Sequence, residues 1–148
     1  MNLEDMTLDV EQHIEIQGPI DEVFKSVLYR LGKGNMLGDG SMQMNLEEFA
    51  GGRWYRDRGE GIQHLWGHVQ VIKPPVLLEL SGPMFMSYPA INHLEVKLEE
   101  IADRTKVTLR HRAIGMIDPQ HREGVKDGWQ SLLDSIKGDF LKTAGTPA

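Results

Sequence analysis

Histidine is the residue type in this chain best suited to moving a proton or holding a metal, and six occur. His64 and His68 flank Trp66 at a spacing of two, as on one face of a strand. Two imidazoles four residues apart in a strand lie about 13 Å apart along it. That is too far to share one ion, so no metal site is expected. His93 falls on the polar face of its segment and is expected to be solvated. His111 differs, because it shares the phase of Val107 and Leu109 and so points inward. An inward imidazole needs a hydrogen-bond partner. It is either a core histidine satisfied by its neighbours, or a polar group that orients a ligand or moves a proton in a cavity. Asn92 and Gln12 are the other polar residues on inward phases, as partners of His111 or of a ligand. No Asp or Glu falls on such a phase, so no carboxylate general base is visible.

Arg53, Trp54 and Tyr55 follow a double glycine, and the strand phase there is open, so either ring could enter the interior. An inward Arg53 would select an anion by bidentate pairing; an outward surface charge is the expected placement. Trp129 lies on the apolar stripe of the last helix. Met36, Met42 and Met44 form one methionine cluster, and Met84 and Met86 another. Methionine suits surfaces that repack around varied apolar partners, although it also fills ordinary core gaps. No cysteine is present, which removes thiol catalysis, disulfides and cysteine metal sites. There is no phosphate loop, dinucleotide fingerprint or nucleophile elbow, so no cofactor is expected.

The chain has 148 residues, a formal net charge of −6, 40% hydrophobic and 26% charged residues. That is the profile of one globular domain, residues 1–148 with a core of about 8–142. An acidic chain lacks the basic field that nucleic acid or an anionic membrane needs. No window approaches the roughly 18 apolar residues of a membrane span, so no stable membrane insertion is expected. The acidic start is not a secretory signal, and a cytoplasmic setting is expected.

The elements that must position these residues follow from periodicity. Residues 8–17 alternate as a half-buried strand, with Gln12 on the apolar face. Gly18-Pro19, with Asp21 and Glu22 behind it, announces a helix with Pro19 at its first position. Its stripe is Ile20, Val23, Phe24, Val27, Leu28 and Leu31. About six strands follow, over residues 42–46, 53–58, 62–73, 76–80, 91–101 and 105–113. Asp118-Pro119 caps a final helix to about residue 142, with Val125, Trp129, Leu132, Leu133, Ile136 and Phe140 on one stripe. Gly124, Gly128, Ser131 and Ser135 lie beside it. Each helical glycine costs roughly 1 kcal/mol against alanine, so something needs room there: a strand in close contact, or a cavity under the helix. Antiparallel strands with helices at their ends give an α+β fold, the sheet curving around the long last helix.

Four stretches carry a resemblance over about residues 8–142. They are Gly18-Pro19-Ile20-Asp21-Glu22-Val23-Phe24, Gly51-Gly52-Arg53-Trp54, Gly67-His68-Val69 with Pro74-Pro75, and residues 105–111 leading to Gly128-Trp129. In order and spacing they resemble the START-related, Bet v allergen-like superfamily SRPBCC, with its helix-grip fold. The nearest branch is the one named after the activator of the heat-shock protein ATPase (Aha-type). One departure is that this branch often carries an aromatic residue, typically Trp, where Gly82 stands here.

The resemblance implies a hydrophobic cavity between sheet and last helix, used across the superfamily for lipids, hormones or polyketides. The expected function is binding of a small hydrophobic molecule. The residues expected to line its cavity are His111, Asn92, Tyr55, Trp54, Trp129, Met44, Met84 and Met86, with His111, Asn92 and Tyr55 as the placed polar groups. A cyclase- or dehydratase-like enzyme using His111 and a co-chaperone-like interaction module stay open, as does a protein partner or homodimer.

Overall fold

The structure, a computed structural model, describes residues 2–35 and 43–144. After a 3-10 turn at Leu3–Met6, the chain forms β1 (Thr7–Ile16) and α1 (Ile20–Leu31). Six strands follow: β2 (Asn45–Leu46), β3 (Arg53–Asp57), β4 (Gln63–Lys73), β5 (Leu77–Gly82), β6 (Ala90–Ile101) and β7 (Arg104–Gly115). The last element is α2 (Pro119–Ala144). The strands make one sheet in the order β1-β7-β6-β5-β4-β3-β2, each neighbouring pair antiparallel. With a long C-terminal helix against the curved sheet, this is the helix-grip arrangement.

Alternation decides which face is the core. Asn92, Leu94, Val96 and Leu98 of β6 are buried, as are Thr105, Val107, Leu109, His111 and Ala113 of β7. In α1 the stripe Val23, Phe24, Val27 and Leu31 is buried. Pro19 stands at the N-cap of α1, one position earlier than its sequence suggests. In α2 the Asp118 carboxylate accepts the Gln120 N–H at 2.8 Å, and Pro119 occupies the first helical position. Val125, Trp129, Leu132, Leu133 and Ile136 are buried beneath that helix. Burying each is worth about 1.5–3 kcal/mol, which outweighs about 1 kcal/mol for each of its glycines.

Polar contacts fix how α2 sits. Gln12 donates to the Lys126 carbonyl at 3.0 Å and to Gln130 Oε1 at 3.2 Å. At the other end, Asp139 accepts from Ser26 at 2.8 Å and from the Arg30 guanidinium, joining α1 to α2. Gly124 and Gly128 do not meet a strand: a Cβ at either would touch nothing within 4 Å. Both explanations offered for the small-residue stripe are therefore corrected: Gly124 and Ser131 are exposed, and the stripe lies toward solvent rather than against a strand or over a cavity.

Two local departures matter for the site. The strand expected over residues 42–46 contracts to Asn45–Leu46, and Met42 and Met36 lie outside the described residues. In β4 the register runs Trp54↔Gly67 and then Tyr55↔Leu65, leaving Trp66 as an extra, bulged residue. Trp66 and Gly67 are consecutively buried. His68 pairs with Arg53 and His64 with Arg56, so the bulge puts the two histidines on opposite faces, correcting the shared face expected of them. Beside the bulge the backbones of Gly67 and Gly82 approach closely. A Cβ on Gly67 would sit 2.5 Å from the Ser81 carbonyl oxygen, and one on Gly82 would overlap Gly67 Cα. The absence of an aromatic side chain at Gly82 has a steric cause here.

Candidate functional site

His111 of β7, Asn92 of β6 and Trp129 of α2 meet in the interior. His111 and Asn92 have no solvent exposure. Trp129 Nε1–H donates to His111 Nδ1 at 2.9 Å. Indole N–H is a donor only, so Nδ1 must be the unprotonated nitrogen. The proton therefore resides on Nε2, which donates to Asn92 Oδ1 at 2.6 Å. Asn92 Nδ2 in turn donates to the Pro83 carbonyl at 3.1 Å. The chain Trp129→His111→Asn92→Pro83 runs in one direction from helix to sheet to loop. Burial pushes the His111 imidazole down to about 4, which favours the neutral ring that this chain requires.

This geometry settles what His111 can do as it stands. Both ring nitrogens are engaged, and neither a lone pair nor a proton is left for a second molecule. The proton-carrier role would first have to break one of these bonds. Gln12, the other inward polar residue, is not part of the set, because it bonds α2 instead.

Rings extend from this chain toward the surface. His111 meets Trp129 edge-on at 5.5 Å and Phe85 at 6.2 Å between centroids. Phe85 meets Trp66 at 5.8 Å, and Trp66 meets Trp54 at 5.1 Å. Such edge-to-face pairs add about 0.5–1.5 kcal/mol beyond burial. Trp54 Nε1–H donates to the Leu31 carbonyl at 2.8 Å, satisfying an orphan acceptor at the end of α1. Met44, Met84 and Met86 are buried in the same core.

The 83–89 loop, between β5 and β6, covers this region. Met84 N–H donates to the Trp66 carbonyl at 2.7 Å and Met86 N–H to that of Pro83 at 3.0 Å. Tyr88 stacks on His121 of α2, its hydroxyl 2.8 Å from Nδ1, and accepts the Asp118 N–H at 3.1 Å. Between this loop and the first residues of β4 lies a recess of about 360 Å³, lined by residues 64–66 and 83–87.

Several expected site residues are thus brought together: His111, Asn92, Trp129, Trp54, Met84, Met86 and Met44 belong to one interior. Tyr55 is not with them, a correction to its expected place beside His111 and Asn92. It faces away from Trp54, lies under the Arg53 guanidinium at 4.6 Å, and lines a groove of about 470 Å³ with Lys25, Tyr29 and Leu46. That groove is larger than the recess, but none of the interior ring chain reaches it. Arg53 is outward and bonds Glu47 at 2.8 Å, holding that carboxyl down to about 2. His93 is not simply solvated, since it bonds Glu79 at 2.8 Å. Phe85, Tyr88 and His121 went unnoticed in the sequence. The Met-Phe-Met run at residues 84–86 was the available signal for Phe85, while the Tyr88–His121 contact joins a loop to a helix with no shared pattern. Among the described residues, no group of three His, Asp or Glu could hold a metal, and no helix is long and apolar enough to cross a membrane.

Comparison with known proteins adds to this geometry. The family model for Activator of Hsp90 ATPase homolog 1-like protein matches residues 37–140. Protein CV1439 from Chromobacterium violaceum is 14% identical, with a TM-score of 0.68 over 89% of this chain and 96% of that one. Ara h 8.0201 is also 14% identical, with a TM-score of 0.68 over 92% and 99%. CalU16 from Micromonospora echinospora is 23% identical, with a TM-score of 0.58 over 91% and 75%. At these identities the likeness is one of fold. Among curated proteins no match was found.

Proposed function

This chain belongs to the Activator of Hsp90 ATPase homolog 1-like family, and from that premise we propose that it binds a small hydrophobic molecule at the recess between the 83–89 loop and the first residues of β4. Membership in the wider SRPBCC superfamily suggests hydrophobic ligand binding. The observation that carries the reading here is the recess of about 360 Å³ whose lining residues Trp66 and Phe85 continue inward as the ring chain to His111. Small-molecule pockets are mainly apolar and run from about 300 to 1,000 Å³. Met84 and Met86 supply side chains that repack around a guest. Trp54, Trp129, Met44, His111 and Asn92 form the wall behind the rings.

Native mass spectrometry of freshly purified protein tests this. A fraction of the protein should carry the added mass of an apolar molecule, and Phe85→Asp, which puts a charge at the recess, should lose it. Absence of any adduct, together with no binding from a panel of apolar molecules, would refute the proposal.

A further inference from the structure

All three tryptophans belong to the core, and they differ in one respect. Trp54 donates its indole N–H to the Leu31 carbonyl at 2.8 Å, and Trp129 donates to His111 at 2.9 Å. Trp66 is only 5% exposed, yet its indole N–H has no partner in the protein. That nitrogen is not enclosed either, so it opens onto the recess that Trp66 lines. An indole N–H is a donor only and cannot serve as an acceptor. The other lining side chains make no such one-way demand. Leu65, Pro83, Met84, Phe85 and Met86 are apolar, while the exposed His64 and Ser87 each carry both a donor and an acceptor. The loop backbone likewise carries both. Among the described residues, no Asp, Glu, Lys or Arg lines the recess.

The Trp66 donor is also held in place before any guest arrives. Its residue is the bulge of β4, and the Met84 N–H bonds its carbonyl at 2.7 Å. Its ring packs edge-on against Trp54 at 5.1 Å and Phe85 at 5.8 Å. Met84 makes its bond from a φ of 55°, in the left-handed region that residues other than glycine rarely enter. Strained positions of this kind gather at ligand clamps. A donor already oriented asks for no ordering of the protein on binding. We infer that the recess selects an apolar molecule carrying a neutral hydrogen-bond acceptor, a carbonyl or ether oxygen, on the edge that meets Trp66. The inference rests on the ligand-binding reading above and names the group its ligand carries. A carboxylate or phosphate is a poorer match, because no Lys or Arg lines the recess to offset the desolvated charge. A molecule without an acceptor would cover the N–H and leave it unmatched. One neutral hydrogen bond corresponds to about twofold to tenfold in affinity.

Diphenylmethane and benzophenone separate the cases, since they share two rings and differ by one carbonyl oxygen. The affinity of each for the wild-type protein and for Trp66→Phe is measured by calorimetry. The substitution keeps a ring at the bulge and removes the donor. It should weaken benzophenone about twofold to tenfold more than diphenylmethane. A second readout needs no variant: the Trp66 indole proton, followed by NMR of the isotope-labelled wild-type protein, should lie further downfield with benzophenone than with diphenylmethane. Equal weakening of the two compounds by Trp66→Phe, or equal positions of the Trp66 proton in the two complexes, overturns the inference while leaving ligand binding intact. Failure of both compounds to bind and to move Trp66 overturns the binding reading at this recess, and the inference with it.

Discussion

The one-directional chain from Trp129 through His111 and Asn92 predicts an unusual mutant cycle. In His111→Leu, the Trp129 N–H and the Asn92 Oδ1 both lose their partner inside the core. Each buried orphan costs about 1–3 kcal/mol, so the variant should lose about 2–6 kcal/mol. Asn92→Leu orphans only the His111 Nε2–H, because the Pro83 carbonyl keeps its bond from Met86. Its expected loss is about 1–3 kcal/mol. In the double variant the apolar side chains face each other and only the Trp129 N–H remains unmatched, so the loss returns to about 1–3 kcal/mol. The double variant is therefore expected to be more stable than His111→Leu alone, with a coupling of about 2 kcal/mol or more between the two sites. Urea unfolding followed by circular dichroism measures all four proteins. Losses that add to within about 0.5 kcal/mol would refute the bonded chain.

Three further outcomes follow from the structure. His111 is held near 4 in the fold against 6.5 for the ordinary imidazole, so the unfolded chain takes up the proton first. The associated stability is complete above about pH 6.5 and is lost as the pH falls toward 4, by about 3 kcal/mol. The stability difference between wild type and His111→Leu, followed across that window, should shrink on acidification, and a constant difference would contradict the assignment. Gly67→Ala should destabilise by about 1–3 kcal/mol, because its Cβ would press on the Ser81 backbone rather than on a yielding side chain. Gly128→Ala, facing open space, should raise stability by about 1 kcal/mol; thermal melts that reverse this order would show the packing to be misread.

Much of the fold was legible because burial imposes a period. The alternation of β6 and β7 assigned His111 and Asn92 to the interior before any coordinates, and the α2 stripe did the same for Trp129. What failed was local and had physical causes. Around Arg53 the segment carries charges and rings without alternation, so nothing distinguished Trp54, which is buried, from Tyr55, which is not. The Trp66 bulge inserts a residue that no period-two pattern can announce. His93 was placed on the outer face correctly in phase, but a cross-strand carboxylate at Glu79 is invisible to a pattern read along one strand. Phe85, Tyr88 and His121 come together only when a loop closes over a helix, a contact between positions 33 residues apart for the Tyr88–His121 pair. The tautomer of His111 needed three partners at once, from β6, β7 and α2.

The extra residue in β4 also makes that strand two half-strands of opposite parity. Residues 63–65 and 67–69 obey separate inside–outside alternations, joined at Trp66. Removing Trp66 would delete a ring from the core without turning the 63–65 segment over, because Tyr55↔Leu65 and Arg56↔His64 would then follow Trp54↔Gly67 in an unbroken ladder. A one-residue deletion at the bulge is therefore absorbed by the ladder and leaves the recess rim as it is, whereas the same deletion within residues 67–69 would break the alternation on which the core face of β4 depends.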